Sequence, residues 1–437
     1  MQSTTIRHMV MRTLVILCAL VVAQVQPPPA AQPGGRALTG ITLIDGTGAA
    51  AVPNGVLIVR NQKIVAAGPA ATTHVPQDVE RVDLSGKVVM PGIVNAHGHV
   101  GATVGLESRP EGYTRGNLLR QLGVYARYGV TTVVSLGDDR DAGFQLRAEN
   151  ESAQLNRSRL YVAGPVITAK TPEEARAAVD AAANLKPDWI KIRVDDNLGT
   201  TEKMRPEVYR AVIARAHEHR LRVAAHIFYL ADAKDLLRAG VEYLAHSIRD
   251  APVDAELIDL MKARNTCLCP TLMREVSTFV YESRPSFFDD PFFKREADPK
   301  LIAALEQPAR MAGIAKSSSA QQYKKALDIA RGNVKALQDA GIRLAAGTDT
   351  GPPARFQGYF EHLELEEMVK SGLTPAQTIT SATGAAAQCL GLGENVGTLQ
   401  SGRYADFLVL AKNPLDDIRH TRTLESVWIG GSPLSTR

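Results

Sequence analysis

Between residues 89 and 347 the chain alternates short apolar runs with longer stretches of helical period. The apolar runs fall at 89–96, 131–136, 160–167, 189–194, 223–227, 243–247, 266–272 and 343–347. Stretches between them, such as 172–185, 206–219, 231–239 and 321–340, repeat apolar residues three and four apart, the period of a helix with one buried face. Strands that alternate with helices pair in parallel, because each crossover returns the chain to the same end of the sheet. Eight repeats predict an α/β fold, a (β/α)8 or TIM barrel, with its chemistry at the C-terminal ends of the strands.

The two ends of the chain read differently. Short apolar runs at 38–44, 55–59, 63–67 and 79–82 are broken by Asn, Gly and Pro, and the tail repeats the pattern at 397–399, 405–410 and 424–429. Both ends are expected to associate into one small β-sandwich domain, residues 37–87 with 393–437, beside a barrel at 88–392. The longest interruption, about 274–316, sets Pro285, Pro291, Pro299 and Pro308 among Phe287, Phe288, Phe292 and Phe293. A connection of that length is expected to act as a lid.

At the start, Arg7 and Arg12 precede an uncharged apolar stretch that closes on Val21-Val22-Ala23. The stretch is too short to cross a bilayer and fits a signal peptide over residues 1–23, with an uncleaved anchor as the alternative. A Pro- and Gly-rich linker follows at 24–36. The expected location is therefore exported, periplasmic or secreted, with no stable membrane span after cleavage. Three cysteines remain beyond that point, Cys267, Cys269 and Cys389, and they are expected to be buried small hydrophobes rather than a disulfide framework.

Composition narrows the class without deciding it. Apolar residues make up 45% and charged residues 22%, an ordinary globular balance. The formal charge of +4 is not organised into a basic stripe with aromatics, so a nucleic-acid partner is not expected.

The chemistry begins with Asn95-Ala96-His97-Gly98-His99. Residues two apart on a strand share a face, so both imidazoles can converge on one point and suit a metal such as zinc. Lys191 lies in the fourth strand, His226 ends the fifth, His246 ends the sixth and Asp349 closes the eighth. Taken singly, each has a structural reading: a core histidine bonded to a carbonyl, a paired lysine, a capping aspartate. Six such residues on five strands at one end of a barrel favour a metal centre instead.

That order of residues resembles the amidohydrolase superfamily, in its imidazolonepropionase-like and Xaa-Pro dipeptidase-like branch. The flanks agree: Pro91-Gly92 before the histidine pair, Leu373-Thr374-Pro375 and Ala382-Thr383 later, and a closing Gly397-Thr398-Leu399-Gln400-Ser401-Gly402-Arg403-Tyr404-Ala405-Asp406. The resemblance covers roughly residues 37–420. It implies two divalent metal ions, commonly zinc. His97, His99 and Asp349 would hold one ion and His226 with His246 the other, with a carboxylated lysine at Lys191 bridging them. Ala96 and Ala245 depart from the family, standing where many or some relatives carry an acidic residue.

The implied reaction is hydrolysis of a C–N bond by a metal-bridging hydroxide, with Asp349 as general base and then general acid. Arg193, two residues past Lys191, is the candidate grip for a substrate carboxylate, with an ion pair to Asp195 or Asp196 as the alternative. Tyr229 is a candidate oxyanion donor. The expected substrate is a small amide or dipeptide with a free carboxylate, and a homo-oligomer is compatible with the chain. His217 and His219 read as solvated, and His362 as either a support for the site or plain helix surface. Rival readings are a mononuclear deaminase or cyclic-amide hydrolase on the same fold, and a non-catalytic barrel protein.

Overall fold

A computed structural model describes residues 34–435. The expected leader at 1–23 and most of the 24–36 linker lie outside those residues. Among the described residues no helix is long and apolar enough to cross a membrane.

The middle of the chain forms two parallel sheets. One runs Arg159–Val162, Val130–Ser135, Ile93–Gly98; the other runs Val166–Ile167, Ile190–Val194, Val223–Ile227, Tyr243–Ala245, Cys267–Cys269. Helices such as Pro172–Asn184, Pro206–Glu218 and Leu230–Ala239 follow their strands and pack outside, as the alternating pattern predicts. Ile190 and Ile192 join this outer layer. Small residues (Ala96, Ala163, Ala224, Ala245 and Ala345) face one another in a separate inner cluster with Trp189 and Tyr243. Burial on both faces explains why these strands read as nearly continuous apolar runs.

Three strands differ from expectation. The run at 89–96 splits at Gly92: Val88–Pro91 joins the terminal sheet and Ile93–Gly98 the parallel one. Gly92 lies so close to the next strand that a Cβ there would meet Thr131 Oγ1 at 2.1 Å, so only glycine permits the crossing. The run at 160–167 breaks where Gly164 takes a left-handed φ of 74° before Pro165. The run at 343–347 is not a regular strand. Its backbone bonds are divided: Ala345 N donates to Leu268 O, Ala346 O accepts from Ala96 N, and Ala346 N is diverted to Ser381 O. The segment thereby bridges the two parallel sheets.

The chain ends meet in one eight-stranded mixed sheet. Its path is Ser432–Pro433, Leu424–Ile429, Phe407–Leu410, Val88–Pro91, Arg36–Leu43, Val52–Arg60, Lys63–Pro69, with Glu80–Asp83 added beside Arg36–Leu43. The 274–316 segment is helical and packed. Phe288, Phe292 and Phe293 are buried with Tyr128, Tyr359 and Phe360, and Arg127 clamps Glu296 at 2.7 Å.

The cysteine expectation needs correction. Cys267 and Cys389 form a disulfide across 122 residues, and among the described residues Cys269 is the one free thiol, buried. Proximity in sequence hid the pairing. The helix Gly384–Leu390 packs against the inner cluster, which brings Cys389 to the strand carrying Cys267 with their Cα atoms 5.8 Å apart.

Candidate metal centre

Ile93–Gly98 carries His97 to its end, and His99 follows one residue beyond. Both face Asp349, whose Oδ1 stands 2.9 Å from His99 Nε2 and 3.7 Å from His97 Nε2. One ligand atom from each of the three lies within 4.8 Å of the others, a ready-made three-ligand group. Close approach depends on Gly347, where a Cβ would sit 2.6 Å from His97 N.

The other expected residues converge on the same place. Lys191 Nζ is 3.4 Å from His97 Nε2. The His246 ring lies 4.6 Å from that of His97 and 4.1 Å from that of His226, between centroids. All six residues thus form one cluster, Lys191 reaching it from within Ile190–Val194 and the others from the strand ends. Three residues around it hold left-handed backbones that side chains rarely adopt: His246 at φ 78°, Thr271 at 48° and Asp349 at 57°. Such conformations persist where the surroundings enforce them, often at functional sites.

The tautomers suit a metal. His226 Nε2 is bonded to Asp195 Oδ2 at 2.8 Å, leaving Nδ1 unengaged by that bond. His246 Nδ1 is bonded to Thr271 Oγ1 at 2.6 Å, and its buried Nε2 has no partner among the described residues. His97 Nδ1 is likewise buried and unpartnered. Burial, with Lys191 nearby, pushes His97 well below the ordinary histidine range, and burial brings His226 to about 3. Neutral imidazoles with spare lone pairs are what a divalent ion requires. Burial also lowers the Lys191 amine to about 8. A divalent metal therefore fits the donor set.

Asp349 is the anion of the cluster. Burial alone would favour its protonated form, but the Arg355 guanidinium and the bond to His99 outweigh that and hold it well below the usual carboxylate range.

The amidohydrolase family model matches residues 88–434. The chain belongs to that family. It is 28% identical to ochratoxinase of Aspergillus niger over 290 residues, which is 63% of this chain and about half, 52%, of that protein. It is 24% identical to imidazolonepropionase of Rubrobacter xylanophilus over 384 residues, covering 81% of this chain and 84% of the relative. Among solved structures, one from Bifidobacterium longum assigned as a prolidase shares 26% identity at a TM-score of 0.73, covering 93% of this chain and 96% of that one. These relatives support the branch of the family expected from the sequence and a TIM-barrel-like α/β fold.

The two expected substrate contacts are both engaged with neighbouring carboxylates. The Arg193 side chain is 45% exposed and its Nη2 lies 3.5 Å from Asp195 Oδ2, the ion-pair alternative. Tyr229 OH donates to Asp196 Oδ1 at 2.8 Å. His217 and His219 are paired with Glu242 and Asp180 rather than merely solvated. His362 is buried, bonded to Thr421 Oγ1 and the Tyr128 carbonyl, so it neither supports the site nor lies on the surface.

Several residues at the centre escaped the sequence reading. Asp195 and Thr271 orient two histidines. Arg249 and Arg274, both buried, share the carboxylate of Glu275 at 3.0 Å each. Arg274 and Glu275 follow the seventh apolar run, so the strand-end rule that found the ligands would also have found them. A cavity of about 320 Å³ shares Arg355 with the centre and is lined by Tyr128, Phe293 and Phe356. A second, of about 880 Å³, is lined by Arg193, Asp195, Lys170 and Met204.

Proposed function

We propose that this protein is a binuclear metal-dependent hydrolase that cleaves a C–N bond, amide or peptide-like, of a small substrate. One observation carries the reading: His97, His99, Lys191, His226, His246 and Asp349 meet in one cluster with unpartnered imidazole nitrogens. Membership of the amidohydrolase family and relatives named ochratoxinase, imidazolonepropionase and prolidase support the reaction class. We read the two parallel sheets and the bridging segment around Ala345 as one closed eight-stranded barrel, with Arg159–Val162 and Val166–Ile167 the two halves of its third strand, and the terminal strands as its small β-sandwich companion.

His97, His99 and Asp349 would hold one ion, His226 and His246 the other, and Lys191 in carboxylated form would bridge them; zinc suits this N/O ligand set. Ions so held would acidify a water molecule and polarise a carbonyl oxygen. Lys191 is suited to carboxylation because its lowered basicity leaves a larger share of the amine free of its proton near neutral pH than an ordinary lysine has. Asp349, ionised at neutral pH, accepts the proton of the attacking water and returns it to the leaving amine. The buried guanidinium groups of Arg249 and Arg274, with exposed Arg193, favour a substrate that carries a carboxylate, and Tyr229 is the candidate oxyanion donor. The Phe293 and Phe356 cavity suits an apolar group, which gives the 274–316 segment a part in specificity. A disulfide fits an exported protein, in the periplasm or outside the cell.

Metal analysis with a screen of N-acyl amino acids, dipeptides, neutral amides and esters tests this. Two ions per chain and turnover of carboxylate-bearing amides are expected. One ion per chain with unmodified Lys191 would transfer the reading to a mononuclear deaminase or cyclic-amide hydrolase. Absence of any bound metal in active protein would end it.

A further inference from the structure

The geometry points to Glu361 as the residue that positions both halves of the His97, His99 and Asp349 group, without touching the metal itself. This rests on the metal-centre reading above. Glu361 lies in the helix Tyr359–Lys370 and is buried. One of its oxygens, Oε1, gathers three bonds: from Asn95 Nδ2 at 2.6 Å, Thr348 Oγ1 at 2.7 Å and Thr350 Oγ1 at 2.6 Å.

Each spoke leads to a ligand. Asn95 uses its other atom, Oδ1, to accept the backbone N–H of His97 at 3.0 Å. The amide of Asn95 is therefore fixed at both ends, and the His97 backbone with it. Thr348 and Thr350 flank Asp349, whose left-handed backbone has no glycine to relax it. Tyr125 OH lies 2.7 Å from Thr350 Oγ1, so that hydroxyl can accept from Tyr125 while it donates to Glu361. A single buried acceptor thus ties the end of Ile93–Gly98 to the bridging segment that carries Asp349. Groups that orient ligands from behind typically contribute 10–100-fold to metal affinity.

The control is the next residue. His362 is buried on the same helix, but its bonds go to Thr421 and Tyr128, away from the cluster. Glu361→Leu, Glu361→Gln and His362→Leu, made in the full chain, separate positioning from simple stability. Zinc titration and amide hydrogen exchange of the metal-free protein are measured for each. Glu361→Leu is expected to weaken zinc binding about 10–100-fold and to speed exchange at the His97 and Asp349 amides. Glu361→Gln, which keeps an acceptor oxygen, should restore most of both, and His362→Leu should lower the melting temperature without changing either. If Glu361→Leu does not fold, Thr348→Val and Thr350→Val remove single spokes and should give smaller losses of the same kind.

Unchanged exchange at His97 and Asp349 in Glu361→Leu, or equal effects from His362→Leu, would overturn the assignment. If the wild-type protein takes up no zinc while Glu361→Leu still loosens those amides, the positioning role stands and the metal reading fails.

Discussion

Arg355 donates from Nη1 to Asp349 Oδ2 at 2.5 Å and to the Asp349 carbonyl oxygen at 3.1 Å. The contact turns the other carboxylate oxygen, Oδ1, toward His97 and His99. It also stabilises the ionised form of a fully buried acid, which burial alone would protonate. Removing the guanidinium as Arg355→Met should raise the Asp349 pKa. The acidic limb of the kcat/KM profile in zinc-loaded enzyme should then move to higher pH. A limb that stays in place, or moves down, would show that Asp349 is not the titrating base.

Lys191 is costly to the metal-free protein. Its folded pKa of about 8 lies below the ordinary lysine value of 10.5, with burial as the chief cause. Below pH 8 the buried ammonium therefore opposes folding, by on the order of 3 kcal/mol from that gap. The penalty fades as pH rises from 8 toward 10.5, where the unfolded chain also loses its proton. Lys191→Met should stabilise the metal-free protein near neutral pH and much less near pH 10, while abolishing uptake of labelled carbon dioxide and one of the two ions. Urea unfolding at both pH values checks this, and equal stability of the two proteins at neutral pH would contradict it.

Thr271→Val should weaken one metal site selectively. The hydroxyl holds His246 Nδ1 at 2.6 Å and so aims the free Nε2. Valine keeps the shape and the branched Cβ but leaves the ring free to turn. A loss of about 10-fold in affinity for one ion is expected, read by calorimetric titration. Unaltered binding of both ions would show that ring packing alone orients His246.

The Cys267–Cys389 link closes a long loop between the inner strands and the C-terminal helix. Cys389→Ser should lower unfolding free energy by about 2–4 kcal/mol. Dithiothreitol should bring the wild-type urea midpoint down to that of the variant. Wild-type stability that is insensitive to reductant would argue against a formed disulfide.

Five of the six clustered residues were legible because strand ends announce themselves: an apolar run stops on a histidine or aspartate, and parallel strands put all such stops at one end. Lys191, inside Ile190–Val194, was legible from the alternation of its strand. The residues that orient them were not. Asp195 looks like loop polarity after Val194, Thr271 follows a proline, and Glu361 sits among Glu361-His362-Leu363-Glu364-Leu365-Glu366-Glu367, where charge suggests solvent. The histidine beside Glu361 drew attention because imidazole carries more chemical expectation than carboxylate. In the fold it turns the other way.

The apolar runs, their spacing and the strand-terminal histidines were sufficient by themselves for a repeating βα fold with a candidate metal centre, because period and burial are local consequences of side-chain order. Register and long-range proximity are not local. Whether 89–96 is one strand or two depended on how closely Gly92 passes Thr131, and the pairing of Cys267 with Cys389 depended on where the last helix packs. The three bonds onto Glu361 Oε1 join Asn95, Thr348 and Thr350, residues drawn together only when distant strand ends meet. Ligand identity is written in the chain one residue at a time; ligand orientation is a property of the packed whole.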